Sequence, residues 1–257
     1  MSRNETCNAI VLRSYPIGEI HMGLTLFTEE SGLLQAIAHG ANSKRGKLRG
    51  LTNPFCYGTA FLYHDPVKKS TKVGDFDVQN FFIGLRENVR RYYTASLWAE
   101  VVLKSFGGGE SARPLFALFV SSLSLLDAAT EEMIPVTSVQ FLARYLALVG
   151  HLPDTSECGS CGRPLTAAGS ADDRPVSYSG ARELFLCDRC AGSGRLQLPA
   201  AALAYLEKSL GYRSIAEAVR VPVDSAAVGA LTPLLYALVG SLVETPLSTL
   251  EVGRGIL

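Results

Sequence analysis

The chain has 257 residues, of which 47% are hydrophobic, and 24 Lys and Arg residues balance 24 Asp and Glu residues, so the formal net charge is zero. This length is enough for one large domain or two to three small ones, and the neutral balance argues against both a uniformly basic nucleic-acid binder and an acidic disordered chain. Mean hydropathy is +0.19. Ser and Gly interrupt the most apolar stretches, residues 115–126 and 234–242, so we expect buried helices and no membrane-spanning segment.

Residues 1–80 are predicted to form short β-strands joined by turns rich in Gly, Pro and Ser. The expected strands are residues 9–12, 24–28, 33–38, 59–64 and 73–78, and a turn at residues 15–18 is expected to close the first of them. A unit of about 80 residues with this pattern suits a five-stranded barrel of the OB type, although a small SH3-like barrel would give the same pattern.

Residues 81–257 are predicted to form a helical domain with a loop-rich insertion at about residues 151–197. The 3.6-residue period favours helices at 88–106, 113–128, 137–149, 199–210 and from Asp224 to about 243, with Gly107 to Gly109 ending the first. Thr137 or Ser138 is a candidate N-cap, and Pro233 is expected to disturb the last helix. The chain is therefore expected to be a multi-domain α+β protein.

Four of the six cysteines form two C-x-x-C pairs, Cys158/Cys161 and Cys187/Cys190, with 25 residues between them. Two such turns can complete a tetrahedron around one Zn²⁺, and four sulfur ligands leave no position for a catalytic water, so we expect one structural zinc ion per chain. The separation exceeds the usual range of about 15–20 residues, and two redox pairs or no bound metal are the alternatives. Cys7 and Cys56 have no partner at such spacing and are expected to be buried.

The sequence contains no recognisable catalytic motif. It lacks the H-x-E motif of zinc deaminases, H-E-x-x-H, G-x-S-x-G and the phosphate-binding P-loop. The four histidines, His21, His39, His64 and His151, are scattered along the chain and are interpreted as surface or packing residues. We therefore expect a binding protein and not an enzyme.

Positive charge is concentrated in one part of the chain. Between Lys44 and Lys104 there are eleven basic residues against five acidic ones, and residues 42–50 hold four cations and no carboxylate. Nearby glycines favour a flexible loop, which could follow a phosphate backbone. The expected DNA contacts are Lys44, Arg45, Lys47, Arg49, Lys68, Lys69, Lys72, Arg86, Arg90 and Arg91.

Aromatic residues accompany these cations. Phe61 and Tyr63 share one face of the fourth predicted strand, and Tyr57 lies just before it. Single-strand binders stack bases on aromatic side chains beside basic loops. The simpler interpretation, which we favour, is that the three rings fill the core of the barrel.

The order of parts resembles the RecO family of bacterial recombination mediators. The local matches are residues 9–13, 18–19, 24–28, 32, 38–41 and 53–55, and the resemblance spans nearly the whole chain, including the C-x-x-C pairs. Residues 21–23 depart from the family, which more often has polar or charged residues there.

The resemblance implies an N-terminal OB fold and a helical C-terminal domain with a zinc-binding region. It implies a cytoplasmic, nucleoid-associated protein that binds single- and double-stranded DNA, anneals complementary strands and, with the partner RecR, helps to load RecA onto DNA coated by single-strand-binding protein. By position, the cations of residues 44–49 would contact phosphates and the four paired cysteines would hold zinc.

Two other hypotheses remain at this point. One is a zinc-containing protein-interaction scaffold that does not bind DNA directly, with its basic loops simply solvated. The other is a zinc enzyme of unknown reaction. Neutralising the four cations of residues 44–49 distinguishes the mediator from the scaffold, because only the mediator loses DNA binding.

Overall fold

A computed structural model describes residues 3–108, 112–165, 174–192 and 196–257. Gly109, expected to help end a helix, and residues 166–173 of the predicted insertion lie outside these ranges. The chain divides into two compact units, Met1–Asp127 and Ala128–Leu257. The expected division at residues 80/81 marks the change from strands to helices and stays a prediction as a domain boundary.

The first unit contains a closed five-stranded barrel with the strand order β1-β2-β3-β5-β4. The strands are β1 Asn4–Ile17, β2 His21–Thr28, β3 Gly32–Ala38, β4 Tyr57–Asp65 and β5 Ser70–Asn80. All neighbours pair antiparallel except β3 and β5, which are parallel. This is the arrangement of an OB-like barrel, and it confirms the predicted α+β class and the OB alternative over the SH3-like one.

Strand β1 is longer than the sequence predicts. Its first half pairs with β4 and its second half with β2, and the register shifts between Val11 and Arg13, where a bulge bends the strand around the barrel. The turn expected at residues 15–18 is therefore wrong, because Pro16 still lies in the strand opposite Met22. The reversal occurs at Gly18, which has a φ of 61°.

Alternate side chains of the strands fill the barrel. The core includes Ala9 and Val11 from β1, Leu24 and Leu26 from β2, and Leu62 from β4. Cys7 and Cys56 also lie in this core, as expected for small apolar side chains. Burial raises the pKa of the Cys7 thiol to about 11 and also raises that of Cys56.

The long connection between β3 and β4 closes over the barrel as a series of hydrogen-bonded turns. Ala41 and Leu48 are buried in the barrel core, and the Asn42 amide donates to the Ile20 carbonyl at 3.0 Å. The Phe55 amide donates to the Val11 carbonyl at 2.7 Å. Contacts at both ends of the connection, and at Leu48 within it, thus anchor the basic segment to the barrel.

Three helices complete the first unit: α1 Ile83–Glu87, α2 Val89–Ser105 and α3 Ala112–Asp127. Phe27 of β2 packs edge-on against Phe106, Phe116 and Phe119, with ring centroids 5.4, 5.5 and 6.1 Å away. These aromatic contacts join the barrel to α3 and to the end of α2. The Asn88 side chain caps α2 by accepting from the Arg91 amide.

The second unit begins with α4, Met133–Leu148. The predicted N-cap at Thr137 or Ser138 is wrong, because both residues are buried inside the helix and Thr137 donates its hydroxyl to the Met133 carbonyl at 2.8 Å. The helix starts earlier because Pro135 is accommodated in its first turn, where no amide hydrogen bond is lost.

Helices α5 Ala200–Leu210, α6 Ile215–Ala218 and α7 Ser225–Val243 pack around α4, and α8 Ser248–Val252 follows them. Asp224 caps α7 as predicted, accepting from the Ala227 amide at 2.6 Å. Helix α7 continues through Pro233, so the predicted disturbance is not observed. Pro233 and Gly229, whose carbonyl Pro233 cannot bond, are both exposed, so solvent can satisfy that carbonyl.

Helix α7 is long and apolar enough, by length and composition, to cross a membrane. Gly240 and Ser241, which interrupt the apolar stretch in the sequence, lie within this helix, and the buried helix expected at residues 234–242 is confirmed. Leu231, Leu234 and Leu235 are fully buried, and α7 packs against α4 and α5. Buried core helices of globular proteins can be equally long and apolar.

A small three-stranded sheet lies between α4 and α5 in the chain. Its strands are β6 Val176–Ser179, β7 Leu184–Leu186 and β8 Leu196–Leu198, in the order β7-β6-β8. All four residues of β6 are buried, and Phe185 and Leu198 contribute to the same small core. The predicted insertion therefore contains a small sheet, and β7 ends one residue before Cys187.

Candidate nucleic-acid interface and metal centre

A row of outward-facing residues crosses the barrel from β1 to β4. The strand registers place Tyr15 opposite Gly23, Gly23 opposite Ile37, Ile37 beside Lys72, and Lys72 opposite Tyr63. Directly paired residues point to the same side of a sheet. These five residues therefore form one continuous band, the outer row, on the barrel surface.

Aromatic rings and cations meet at both ends of the outer row. The Arg13 guanidinium lies 5.9 Å from the centre of the Tyr15 ring, and the Lys72 ammonium lies 5.6 Å from the centre of the Tyr63 ring. Sequence reasoning missed Arg13 and Tyr15. The two-residue period of β1 would have placed them together if the strand had been extended through Pro16.

The aromatic residues of β4 do not fill the barrel, so the core positions we favoured for them are wrong. Ala60 and Leu62 occupy the interior, and the two-residue period therefore directs Phe61 and Tyr63 outward. Phe61 is 43% exposed. Tyr57 packs against Phe116, with ring centroids 6.2 Å apart.

The basic loop between β3 and β4 presents its four cations to solvent. Lys44, Arg45, Lys47 and Arg49 are all exposed. Lys47 binds the Asp75 carboxylate of β5 at 2.6 Å and lowers the pKa of that carboxyl group. Lys44 and Arg45 form no ion pair with any residue in the described parts of the chain.

The turn between β4 and β5 carries a second group of cations. Lys68 and Lys69 are exposed and, within the described ranges, make no ion pair. Lys72 pairs with Asp65 at 3.3 Å. Hydrogen bonds to Asp65 from the Lys68 amide, the Lys72 side chain and the Val67 amide lower the pKa of Asp65, so its carboxylate stays charged and holds the turn.

The three candidate arginines lie where α1 and α2 begin the helical part of the first unit. Arg86 is exposed, and its Nη2 donates to the Pro54 carbonyl at 3.2 Å. Arg90 is half-buried on α2. Arg91 donates from Nη1 to the carbonyls of Gly84 and Asp127, at 3.2 and 2.9 Å, and so ties α1 and α3 together.

The β2–β3 hairpin brings His21 and His39 together. The centroids of their rings lie 4.7 Å apart, with an interplanar angle of 81°. Their scattered positions in the sequence hide this proximity, although the tight turn that pairs Thr28 with Gly32 fixes His21 opposite His39.

The four paired cysteines converge on one point in the second unit. The sulfur atoms of Cys158, Cys161, Cys187 and Cys190 all lie within 4.8 Å of one another. Those of Cys161 and Cys187 are 3.8 Å apart. A tetrahedron with metal–sulfur bonds of about 2.3 Å has edges of about 3.8 Å, so the donor set fits a tetrahedral thiolate metal site.

Each C-x-x-C pair forms a tight turn that aims its sulfurs inward. The Gly162 amide donates to the Cys158 carbonyl at 2.9 Å, and the Cys190 amide donates to the Cys187 carbonyl at 3.0 Å. The Cys187 amide also approaches the Cys158 sulfur at 3.4 Å. Gly162 has a φ of 67°, a conformation that favours glycine directly after the first pair.

The cluster is electrostatically prepared for a cation. Burial opposes ionisation of Cys158, but backbone amides that point at its sulfur lower its pKa to about 6. The neighbouring sulfurs of Cys161 and Cys187 raise the pKa of Cys190 to about 12. Four thiolates this close repel one another, and a divalent metal ion between them removes that repulsion.

Ion pairs join the two cysteine turns outside the sulfur cluster. The Asp188 carboxylate, next to Cys187, lies 3.6 Å from Nη1 of Arg163, which follows the first turn. It lies 3.5 Å from Nη1 of Arg174, which precedes β6. These contacts orient the residues that bear the sulfur ligands, as outer contacts commonly do in metal sites.

Comparison with family models supplies the identification. The model described as "Recombination protein O N terminal" matches residues 1–74, and "Recombination protein O C terminal" matches residues 86–251. The chain belongs to the RecO family. The resemblance drawn from the sequence is thereby confirmed.

Curated relatives carry the same family name. The chain is 27% identical over 184 residues to the DNA repair protein RecO of Desulforamulus reducens, covering 72% of this chain and 68% of the relative. It is 28% identical over 179 residues to that of Acaryochloris marina, covering 70% and 60%, and 33% identical over 162 residues to that of Heliobacterium modesticaldum, covering 63% and 57%. The match to the last two spans less than two thirds of their length. As a RecO family member, the protein has a role in DNA repair.

Proposed function

We propose that the protein is a non-catalytic, DNA-binding mediator of recombinational repair, which binds single- and double-stranded DNA and anneals complementary strands. The observation that carries the proposal is the barrel surface on which exposed cations without carboxylate partners in the described ranges, Lys44, Arg45, Lys68 and Lys69, accompany the outward-facing rings of Tyr15, Phe61 and Tyr63. Cations bind phosphates and rings stack on bases.

The proposed contact residues have unequal support. Lys44, Arg45, Lys68 and Lys69 are exposed and need break no ion pair within the described chain to reach a phosphate. Lys47 and Lys72 would have to exchange Asp75 and Asp65 for phosphates, and both are exposed enough to do so. Arg49, Arg86 and Arg90 belong to the same proposed set. Arg91 has the weakest support, because two backbone carbonyls already hold its guanidinium.

The proposed metal is one structural Zn²⁺ per chain, held by Cys158, Cys161, Cys187 and Cys190. The support is the tetrahedral spacing of four sulfur donors, a donor set that favours zinc over harder divalent ions such as magnesium or calcium. Zinc bound in this way would stabilise the small sheet β6–β8, and four protein ligands would leave no position at which a water could be activated.

One contact in the second unit also supports the proposal that the protein is not an enzyme. His151 lies 3.0 Å from the Ser241 hydroxyl, the pairing expected of a base and a nucleophile. However, the Ser241 hydroxyl donates to the Leu238 carbonyl at 2.9 Å, so its proton is already engaged. This pair is better suited to packing α7 than to acyl transfer.

The protein partners we propose are RecR, single-strand-binding protein and, indirectly, RecA, in a cytoplasmic, nucleoid-associated setting without a membrane partner. The support is family membership together with the charge distribution. Residues 1–127 hold 14 basic and 11 acidic residues, whereas residues 128–257 hold 10 basic and 13 acidic ones. The second unit is therefore less suited to phosphates and leaves its surface available to proteins.

The experiment is fluorescence anisotropy of the full chain with a labelled single-stranded oligothymidine over a range of salt concentrations. Changing Lys44, Arg45, Lys68 and Lys69 together to Gln should reduce the magnitude of the slope of log affinity against log salt by about 3, because each lost phosphate contact on a single strand contributes about 0.7. The matched control changes Arg182, Lys208, Arg213 and Arg220, four exposed cations of the second unit, to Gln.

The same experiment decides between the mediator and a zinc-containing interaction scaffold. A wild-type chain that shows no affinity at low salt, or affinity that does not fall as salt rises, contradicts direct DNA binding and favours the scaffold. Equal losses in the barrel variant and in the control variant contradict the assignment of the interface to the barrel.

A further inference from the structure

The histidine pair on the barrel is a cluster that the metal centre and the predicted DNA contacts leave unused. His21 opens β2 and His39 directly follows β3, and their rings meet edge to face at 4.7 Å. His39 is exposed and His21 is half-buried. Both face outward, because Ala38 beside His39 points into the barrel core.

One hydrogen bond fixes the tautomer of His21. The Gly40 amide donates to Nδ1 of His21 at 3.0 Å. A nitrogen that accepts an N–H carries no proton, so the proton of the neutral ring lies on Nε2. The hairpin therefore holds His21 with an N–H donor at the tip of its ring.

The titratable groups that act electrostatically on His39 come from three elements. His21 lies across the hairpin, Lys68 lies in the β4–β5 turn, and Lys72 lies on β5. Burial, His21, Lys72 and Lys68 together lower the pKa of His39. The carboxylate that contacts Lys72, Asp65, also accepts hydrogen bonds from two backbone amides of the turn.

The β1–β2 turn directly precedes His21 and carries Glu19. The Glu19 backbone carbonyl accepts from the Asn42 side chain at 3.1 Å, which ties the turn to the loop that follows His39. Two imidazoles and two ammonium groups thus share one surface, where positive charge accumulates. A cluster of this kind lowers its electrostatic energy by taking up an anion.

We propose that His21, His39, Lys68 and Lys72 form a proton-linked phosphate-binding site on the barrel. The anion is a backbone phosphodiester of the bound nucleic acid, so the inference rests on the proposed function and deepens it. The lysines attract the phosphate, Nε2 of His21 donates to it, and His39 takes up a proton as the phosphate arrives. Binding and protonation of His39 then favour each other.

The direction of the pH dependence follows from this linkage. In the protein without DNA, His39 is neutral at neutral pH because its pKa lies below the ordinary value. A bound phosphate raises the pKa of His39, so complex formation takes up a proton. Affinity should rise as the pH falls through the His39 pKa of the complex, and it should level off below the His39 pKa of the protein without DNA.

The first test measures oligothymidine affinity at constant ionic strength from about pH 8 to about pH 5.5, the range in which His titrates and thymine does not. A rhodamine label avoids titration of the dye. Wild-type affinity should rise by up to about tenfold per pH unit for one linked proton. The His21→Gln/His39→Gln double variant should have a flat profile, and the His151→Gln control should match the wild type.

The second test uses inorganic phosphate and the imidazole signals of the full chain in nuclear magnetic resonance titrations. Phosphate, compared with chloride at equal ionic strength, should raise the pKa of His39 and leave that of His151 unchanged. This arm detects the phosphate site without DNA.

The outcomes separate the inference from the proposed function. Tight DNA binding with a flat wild-type profile, or with the same slope in the double variant, overturns the proton-linked site and leaves DNA binding intact. A His39 pKa that phosphate does not change also overturns it. No DNA binding at any pH at low salt overturns the proposed function, and the phosphate titration then tests the anion site alone.

Discussion

Phe61 lies on the outer face of the barrel, between two core residues of β4. Its neighbours Ala60 and Leu62 are almost fully buried, whereas Phe61 is 43% exposed. Its ring lies on the same face of β4 as Tyr63, a position that suits the base stacking of the proposed function.

Replacing Phe61 with Ala should weaken single-stranded DNA binding by about 5- to 150-fold, because a stacked base contributes about 1–3 kcal/mol. Double-stranded DNA, whose bases are already stacked, should lose less than about twofold in affinity. Anisotropy with the two DNA forms measures the difference. The Tyr212→Ala control removes a ring of similar exposure, 40%, from the second unit. Equal losses on both DNA forms would contradict base stacking.

Gly58 of β4 occupies a position with no room for a side chain, because the backbone of β5 lies too close. A Cβ at Gly58 would clash with the Asp77 carbonyl oxygen and would lie 2.8 Å from the Val78 Cα. The register between β4 and β5 shifts beside this residue, and the missing side chain lets the two strands approach.

Changing Gly58 to Ala should therefore destabilise the first unit by about 1–3 kcal/mol, the usual cost of overpacking. Urea denaturation followed by the fluorescence of Trp98, the single tryptophan and a fully buried residue of α2, measures the effect. Gly74→Ala is the matched control on the neighbouring strand, because its Cβ would approach only the Phe61 carbonyl, at 3.5 Å. Equal midpoints for the two variants would contradict the close approach.

At the scale of elements, the sheet β6–β8 is too small to be stable through its own core. Its strands have four, three and three residues. Sheets of this size need further support, and the four sulfurs beside β7 indicate that a bound metal provides it.

Serine at Cys158 or at Cys187, the two buried members of the cluster, should abolish bound zinc. One zinc ion per wild-type chain is expected by native mass spectrometry, and chelation should expose the amides of β6–β8 to hydrogen exchange. Cys7→Ser is the control, since Cys7 is also buried but lies in the barrel core. A zinc-free wild-type protein with a protected sheet would contradict a structural metal.

At the scale of the whole molecule, the chain has no net charge, but its two units have net charges of opposite sign. The excess of three cations in residues 1–127 is matched by an excess of three anions in residues 128–257. Salt at about 0.15 M screens charges beyond about 8 Å. Local cations should therefore govern DNA contact, and net charge should have little influence.

Glu131, Glu132 and Glu251 are exposed in the second unit. Changing all three to Gln should raise the net charge by three without changing the salt dependence of DNA binding. Affinity at about 0.15 M salt should stay within about twofold of the wild type, because these groups lie outside the proposed contact set. The salt titration used for the barrel variants measures it. A steeper slope would show that the second unit also contacts DNA.

Local patterns in the sequence are sufficient to predict most of the elements and the cluster of four sulfurs. The C-x-x-C spacing predicts the sulfur cluster because two tight turns need no long-range information. The sequence predicts too short a β1 because a proline usually indicates a turn. Only the pairing of Pro16 with Met22 shows that the strand continues through it. The carbonyl contacts of Arg91 depend on Asp127, which lies 36 residues away, and no local pattern contains that information.

The closure of the barrel has a thermodynamic consequence. Strands β3 and β5 share a single paired position, Ile37 with Lys72, whereas every other strand interface pairs seven or more positions. This seam is therefore where the barrel opens with the least free energy. A nucleic acid that contacts Lys72 and His39 would hold the seam shut, so each increase in its affinity would appear as added resistance of the barrel to unfolding.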